Sequence, residues 1–165
     1  MNISDFHLHI LEALNDDARV TRQQLAVMTG HSEEDVADAI AELEARHIIV
    51  KYPALINWDK VEAEQVEALI EVRVTPQRGA GFDAIASQIY RFEEVSSVYL
   101  MSGAYDLMVL VRGRTMKQLA LFVAEKLSTL ENVNSTATHF VLKKYKVDGV
   151  TLEGTQTDRR LAVSP

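Results

Sequence analysis

The sequence contains no cysteine, which excludes disulfides, thiolate metal sites and cysteine nucleophiles. It has three prolines and one tryptophan. No apolar run approaches the roughly 18 residues that a membrane-spanning helix requires. Met1-Asn-Ile-Ser-Asp5 shows none of the features of a signal peptide, so a cytoplasmic protein is expected. There is no glycine-rich phosphate loop and no nucleophile elbow. The five histidines form no group with metal-ligand spacing; His7 and His9, two apart on a helix, face different directions. An enzyme is not expected, nor is a metal or a cofactor.

What is present is ordinary for a globular protein: 165 residues, 47% hydrophobic and 25% charged, enough for one large domain or two small ones. The net charge of −7 is unevenly placed. Residues 1–60 hold five Lys/Arg against eleven Asp/Glu, and residues 61–165 hold twelve against thirteen.

The first 57 residues read as three helices and a hairpin. Ser4 caps a helix over 4–15 with Phe6, Ile10, Leu11 and Leu14 on one face. Thr21 and Gln24 make a capping box for a short helix burying Leu25, Ala26 and Met28, which Gly30 ends. Ser32 caps a third helix, Glu33 to about His47, with Val36, Ile40 and Leu43 inward. Ile48 to Tyr52 and Ala54 to Asn57, either side of Pro53, read as a two-stranded wing. The set fits a winged helix-turn-helix or a generic three-helix bundle. Residues 58–65 are a polar connector.

Residues 66–146 read as β-α-β-β-α-β, the ferredoxin-like order, making the chain α+β. Val66, Ala68, Ile70, Val72 and Val74 alternate with Glu67, Glu71 and Arg73 in the first strand. A helix follows, with Phe82, Ile85, Ala86, Ile89 and Tyr90 as its stripe. Val98 to Val111 is a hairpin: a strand ending at Ser102, a Gly103-Ala104 turn, and a strand from about Tyr105. Thr115 and Gln118 form a second capping box for a helix burying Leu119, Ala120, Val123 and Leu127. Asn132 to Tyr145 is the last strand. Two helices cover one sheet face. The other face is expected to be apolar and to call for a partner, most simply a second copy of the chain. Residues 147–165 are a polar tail; Arg159 to Val163 could add an edge strand or lie on the partner.

Several stretches, in this order, resemble the Lrp/AsnC or feast/famine regulators. Leu25-Ala26, Val36, Ile40, Leu43-Glu44, Ile48-Ile49 and Tyr52 to Ala54 are similar to the family's DNA-binding module. Gly103-Ala-Tyr-Asp106 is similar to its Gly-x-x-Asp turn, and Thr138-His-Phe-Val-Leu-Lys143 to its last strand. The resemblance implies a transcription regulator that senses an amino acid or related effector through a C-terminal sensing domain. It implies a homodimer, often assembled into an octamer. It implies effector contacts from Ser102, Gly103, Ala104, Tyr105 and Asp106, with Thr136 and Thr138 beside them. Asp106 can pair with an ammonium, and backbone N–H groups near Gly103 with a carboxylate. DNA contacts are implied from Arg19, Arg22, Gln23, His31, Ser32, Arg46 and Lys51.

One stretch departs from the family. The expected recognition helix carries Glu33, Glu34, Asp35, Asp38, Glu42 and Glu44 against Arg46 alone. DNA bears about one negative charge per 1.7 Å of axis, so these residues oppose binding where they meet it. The alternative is an amino-acid-sensing oligomer with lost or weakened DNA binding.

Overall fold

A computed structural model describes residues 3–61, 63–76 and 81–152. The chain divides into two compact units, Met1–Ile56 and Asn57–Pro165.

The first unit is three helices: α1 (Asp5–Asp16), α2 (Arg22–Thr29) and α3 (Glu33–Ala45). Each starts at a hydroxyl cap: Ser4, Thr21 and Ser32 accept from the backbone N–H three residues on, satisfying donors that have no partner within the helix. Gly30 leaves α2 in the left-handed region at φ 71°, where a side chain would be strained. Ile10, Leu25, Ala26, Val36, Ala39 and Leu43 form the core. Met28, expected inside, is 65% exposed. Thr29 takes the inward position one turn after Leu25, donating its hydroxyl to the Leu25 carbonyl at 2.7 Å.

The expected wing strands do not form. Residues 48–57 contain no strand, because the backbone is already engaged elsewhere. The N–H groups of Ile48 and Ile49 both donate to the Leu43 carbonyl, at 2.9 and 3.2 Å. Their side chains pack on the helical core, and Pro53 has no N–H to offer a ladder.

The second unit is built on a four-stranded antiparallel sheet of order β2-β3-β1-β4. Its strands are β1 (Val66–Val74), β2 (Val95–Leu100), β3 (Leu107–Gly113) and β4 (Val133–Phe140), with α4 (Asp83–Ile89) and α5 (Met116–Phe122) between them. β1 is central, which explains its two-residue alternation: Ala68, Ile70, Val72 and Val74 are all buried. They join Leu107, Val109 and Val111 of β3 and Ile85, Ile89, Leu119, Phe122, Val123 and Leu127 beneath the sheet.

Details of the helices differ from the sequence reading. Tyr90 caps α4 and is 60% exposed. Ala120 is exposed and Phe122 is buried instead, because Ala120 is turned about 100° from Leu119, outside the face that Leu119, Phe122 and Val123 share. A π-helical turn over Val123–Leu127 continues α5 with a wider winding. Thr115 caps α5, but Gln118 accepts from the Arg114 N–H at 2.8 Å, one residue before the expected box partner.

The open sheet face is mixed rather than apolar. Register and alternation place Tyr99, Met108, Leu110, Leu69 and Ala137 there, together with Glu67, Glu71, Arg73, Arg112 and His139. Glu67 pairs with Arg112 at 2.9 Å and with Lys144 at 2.5 Å, and Glu71 with His139 at 3.3 Å. Within the expected tail, residues 146–151 form a hairpin of β5 (Lys146–Val147) and β6 (Val150–Thr151). Asp148 and Gly149 both have positive φ, 46° and 81°, as a tight two-residue hairpin turn requires. The Asn57 side chain donates to the Leu152 carbonyl at 2.9 Å, tying the hairpin to the start of the unit. The edge-strand reading of Arg159 to Val163 lies outside the described residues.

Candidate functional site

In the first unit, α2, the turn through Gly30 and α3 form the helix-turn-helix. The structure sorts the seven expected DNA-contacting residues by what they already touch. Arg22, Gln23 and Lys51 are exposed. Arg19 is engaged: its N–H and Nε both donate to the Asp17 carboxylate, at 2.9 and 3.2 Å, which holds the Asp17 carboxyl below its usual range. The Arg46 guanidinium donates to Glu42 at 2.7 Å. Ser32 is a cap: its hydroxyl donates to Asp35 at 2.6 Å and accepts from the Asp35 N–H at 3.0 Å. The Ser32 hydroxyl and then the Ser32 N–H, both donating to the carboxylate, lower the Asp35 pKa. His31 lies face to face with Phe6, ring centroids 3.9 Å apart, and its Nδ1 sits 2.8 Å from the Thr29 carbonyl oxygen.

The exposed surface of α3 is acidic. Glu34, Asp38 and Glu42 fall four apart on one side and are all exposed. Glu44 accepts from the Tyr52 hydroxyl at 2.8 Å, a contact that sequence spacing did not reveal. Partial burial, and then Glu44, push the Tyr52 phenol up to about 12. His7 adds a second link to α3, its Nε2 lying 3.7 Å from Glu42.

In the second unit, the candidate effector turn is longer than expected. β2 ends at Leu100 and β3 begins at Leu107, so six residues cross between them. Ser102, Gly103 and Ala104 are exposed, and Tyr105 and Asp106 are half-buried. The turn is closed by the Met101 N–H donating to the Asp106 carbonyl at 2.8 Å. It is stitched to β1 by the Asp106 N–H donating to Val72 at 3.1 Å. The Asp106 carboxylate accepts from the Val74 N–H at 2.9 Å. One of its oxygens therefore already serves the sheet. The N–H groups of Ser102, Gly103, Ala104 and Tyr105 donate to no group among the described residues.

Thr136 and Thr138 project to the helix-covered side, paired with Val72 and Ile70, and both are half-buried. Val72 also pairs with Leu107. Thr136 is thus two strand spacings, about 10 Å, from the base of the turn, and Thr138 lies one side-chain repeat further away. The Thr136 hydroxyl is 3.2 Å from that of Ser128. Turn and Thr136 share one end of the sheet.

No helix among the described residues is long and apolar enough to cross a membrane. Residues 67–151 match the Lrp/AsnC ligand binding domain, and residues 3–50 match a winged helix-turn-helix DNA-binding domain. The chain is 49% identical over 166 residues, the whole of both chains, to the uncharacterized HTH-type transcriptional regulator YugG of Bacillus subtilis. Among solved structures, the leucine response regulatory protein LrpA of Mycobacterium tuberculosis superposes with a TM-score of 0.74 at 26% identity, covering 88% of this chain and 97% of that one. The transcriptional regulator NMB0573 of Neisseria meningitidis, in complex with L-Met, superposes with a TM-score of 0.70 at 23% identity, covering 88% and 94%.

A helix-turn-helix followed by a separate ligand-binding domain defines a ligand-responsive, DNA-binding transcription regulator. The chain belongs to the Lrp/AsnC family of these regulators. The alternative of a sensor acting without DNA is not favoured by these matches.

Proposed function

We propose that this regulator responds to an amino acid held at the 101–106 turn, and that it works as a homodimer able to assemble further, to an octamer, in the cytoplasm. The observation that carries the effector reading is the run of four N–H groups from Ser102 to Tyr105 that donate to no group among the described residues, in a turn whose Ser102, Gly103 and Ala104 are exposed at the end of the sheet. Consecutive backbone N–H groups in a turn suit a carboxylate. Thr136 and Thr138 lie on the strand beyond β1, where they can order the rest of the ligand. The N. meningitidis regulator of this fold was solved with L-Met, which fits an α-amino acid as the ligand class. DNA is met through Arg22, Gln23 and Lys51, with Arg19, His31, Ser32 and Arg46 shaping the surface around them.

The dimer reading rests on the open sheet face, where Leu69, Met108 and Leu110 lie among paired charges that a second copy can complement. The test is calorimetric titration of the full chain with each of the twenty proteinogenic L-amino acids. DNA binding is then measured on genomic fragments with and without any that bind. Binding that is lost in a variant with Gly103 and Ala104 replaced by proline is expected. An amino acid bound equally well by that variant would place the site elsewhere.

A further inference from the structure

We propose that Asp106 is a positioning residue: its carboxylate holds the effector turn to β1 at Val74, and its charge is not what recognises the effector. The inference rests on the reading of residues 101–106 as the effector turn and assigns one residue within it a different task.

The backbone pairing of β1 with β3 ends at Val72 and Leu107. Beyond that point the chain of β3 turns away, and the Val74 N–H would be left facing it without a carbonyl. The Asp106 side chain supplies the acceptor at 2.9 Å. Asp106 is also bonded through both of its backbone groups, N–H to Val72 and carbonyl to Met101. Three of its polar groups are therefore committed to the frame of the turn. A buried or half-buried backbone donor needs a partner, so this carboxylate has a structural duty before any ligand arrives.

Val74 is itself a special position. The pairing of β1 with β4 shifts between Arg73 and Val74. Just beyond it the Thr75 N–H donates to the Asn132 carbonyl at 2.9 Å and the Asn134 amide to the Thr75 hydroxyl at 3.0 Å. The Asp106 carboxylate thus grips β1 where β1 changes its grip on β4, the strand that carries Thr136. Together with the Asp106 N–H to Val72, this hydrogen bond fixes the height of the turn relative to both of the elements proposed to hold the ligand. Recognition of the ligand's carboxylate is left to the backbone of Ser102 to Tyr105.

The two roles make different demands on chemistry. Holding Val74 needs only an acceptor oxygen, which an asparagine also has. Pairing with an ammonium needs the negative charge. The experiment compares Asp106→Asn and Asp106→Ala in the full chain. The first readout is amide hydrogen exchange at Val74 by NMR, and the second is calorimetric titration with the proteinogenic L-amino acids, singly. In Asp106→Ala, exchange at Val74 is expected to rise about tenfold, with a similar loss of affinity, as one ladder bond opens. In Asp106→Asn both are expected to stay within about threefold of the parent.

The proposal is overturned if Asp106→Asn loses binding as fully as Asp106→Ala while Val74 stays protected. It is equally overturned if Asp106→Ala leaves Val74 exchange unchanged. If no amino acid binds the parent chain, the effector reading fails and the exchange comparison alone decides the role of Asp106. If Asp106→Ala does not fold, native exchange in Asp106→Asn supports the proposal and fast exchange there refutes it.

Discussion

Phe6 and His31 stack with their ring planes inclined by only 22° and their centroids 3.9 Å apart. The contact joins α1 to the turn between α2 and α3, so His31 braces the helix-turn-helix. Aromatic pairs of this kind contribute about 0.5–1.5 kcal/mol. His31→Ala and Phe6→Ala are each expected to destabilise the first unit, and the double variant to lose less than the sum of the two. Additive losses in a denaturant double-mutant cycle would show that the stack carries no coupling.

The acidic side of α3 is expected to limit DNA affinity where it meets the duplex. Replacing Glu34 by Gln and Asp38 by Asn removes two exposed negative charges. Binding to a fragment selected from genomic DNA is expected to tighten several-fold at low salt. Arg22→Ala and Lys51→Ala should each weaken binding and reduce the salt slope by about one. Fluorescence anisotropy across a salt series checks both. Unchanged affinity in the Glu34, Asp38 variant would mean that this side of α3 faces away from the duplex.

Two glycines separate packing from exposure. A Cβ at Gly113 would lie 2.8 Å from Cδ2 of Leu119, whereas nothing lies within 4 Å of one at Gly103. Leu119 is fully buried and has little room to move. Gly113→Ala is therefore expected to cost about 1–3 kcal/mol by overpacking, and Gly103→Ala less than about 0.5 kcal/mol. Urea unfolding of both variants measures the difference.

Tyr52 gives an alkaline signature. Its phenol is raised from 10.0 to about 12 by partial burial and then by Glu44. The folded chain therefore holds this proton more tightly than the unfolded one. The resulting stabilisation is complete below pH 10 and is lost as the pH rises from 10 to 12. At 45% exposure its size is small. Tyr52→Phe is expected to remove the last phenolate transition near pH 12 in an absorbance titration. A titration curve that keeps that transition would assign the shift to another tyrosine.

If the open sheet face joins two copies, a charge at its centre will separate them. Leu110 faces that side beside Met108 and Leu69. Leu110→Glu is expected to convert the purified protein to a monomer at micromolar concentration while keeping its secondary structure. Sedimentation velocity and circular dichroism check the two halves of that statement. A Leu110→Glu chain that sediments like the parent would move the interface to another surface.

The elements that repeat a regular pattern were the most legible. β1 alternates over nine residues because both of its neighbours are strands and one face is wholly covered. The caps of α1, α2, α3 and α5 are legible as a hydroxyl ahead of an apolar stripe, whereas α4 starts at Phe82 without one. Failures came where the backbone's own bonding decided. Ile48 and Ile49 read as a strand, but their N–H groups close the end of α3. Ala120 reads as part of the stripe beside Leu119, but Phe122 and Val123 fill that face and Ala120 is turned out of it. Asp148-Gly149 is a strong turn signal that the polar composition around it concealed. For the candidate sites, sequence could place Asp106 in the turn but not show that its carboxylate reaches Val74, 32 positions earlier. Nor could it show that Arg19 and Arg46 already hold carboxylates.

The wide turn over Val123–Leu127 bears on how this domain can vary in length. Leu119 and Leu127 are eight residues apart and both fully buried, although eight ordinary helical steps of about 100° would leave them roughly 80° out of line. The turn takes up the surplus. Ala124, Glu125 and Lys126 are exposed, so a chain one residue shorter there would bring the two leucines seven apart, only about 20° from alignment. Lys126 is held by Glu94 at 2.6 Å, so Ala124 and Glu125 are the places where the helix is expected to lose a residue and still keep Leu119 and Leu127 on one side.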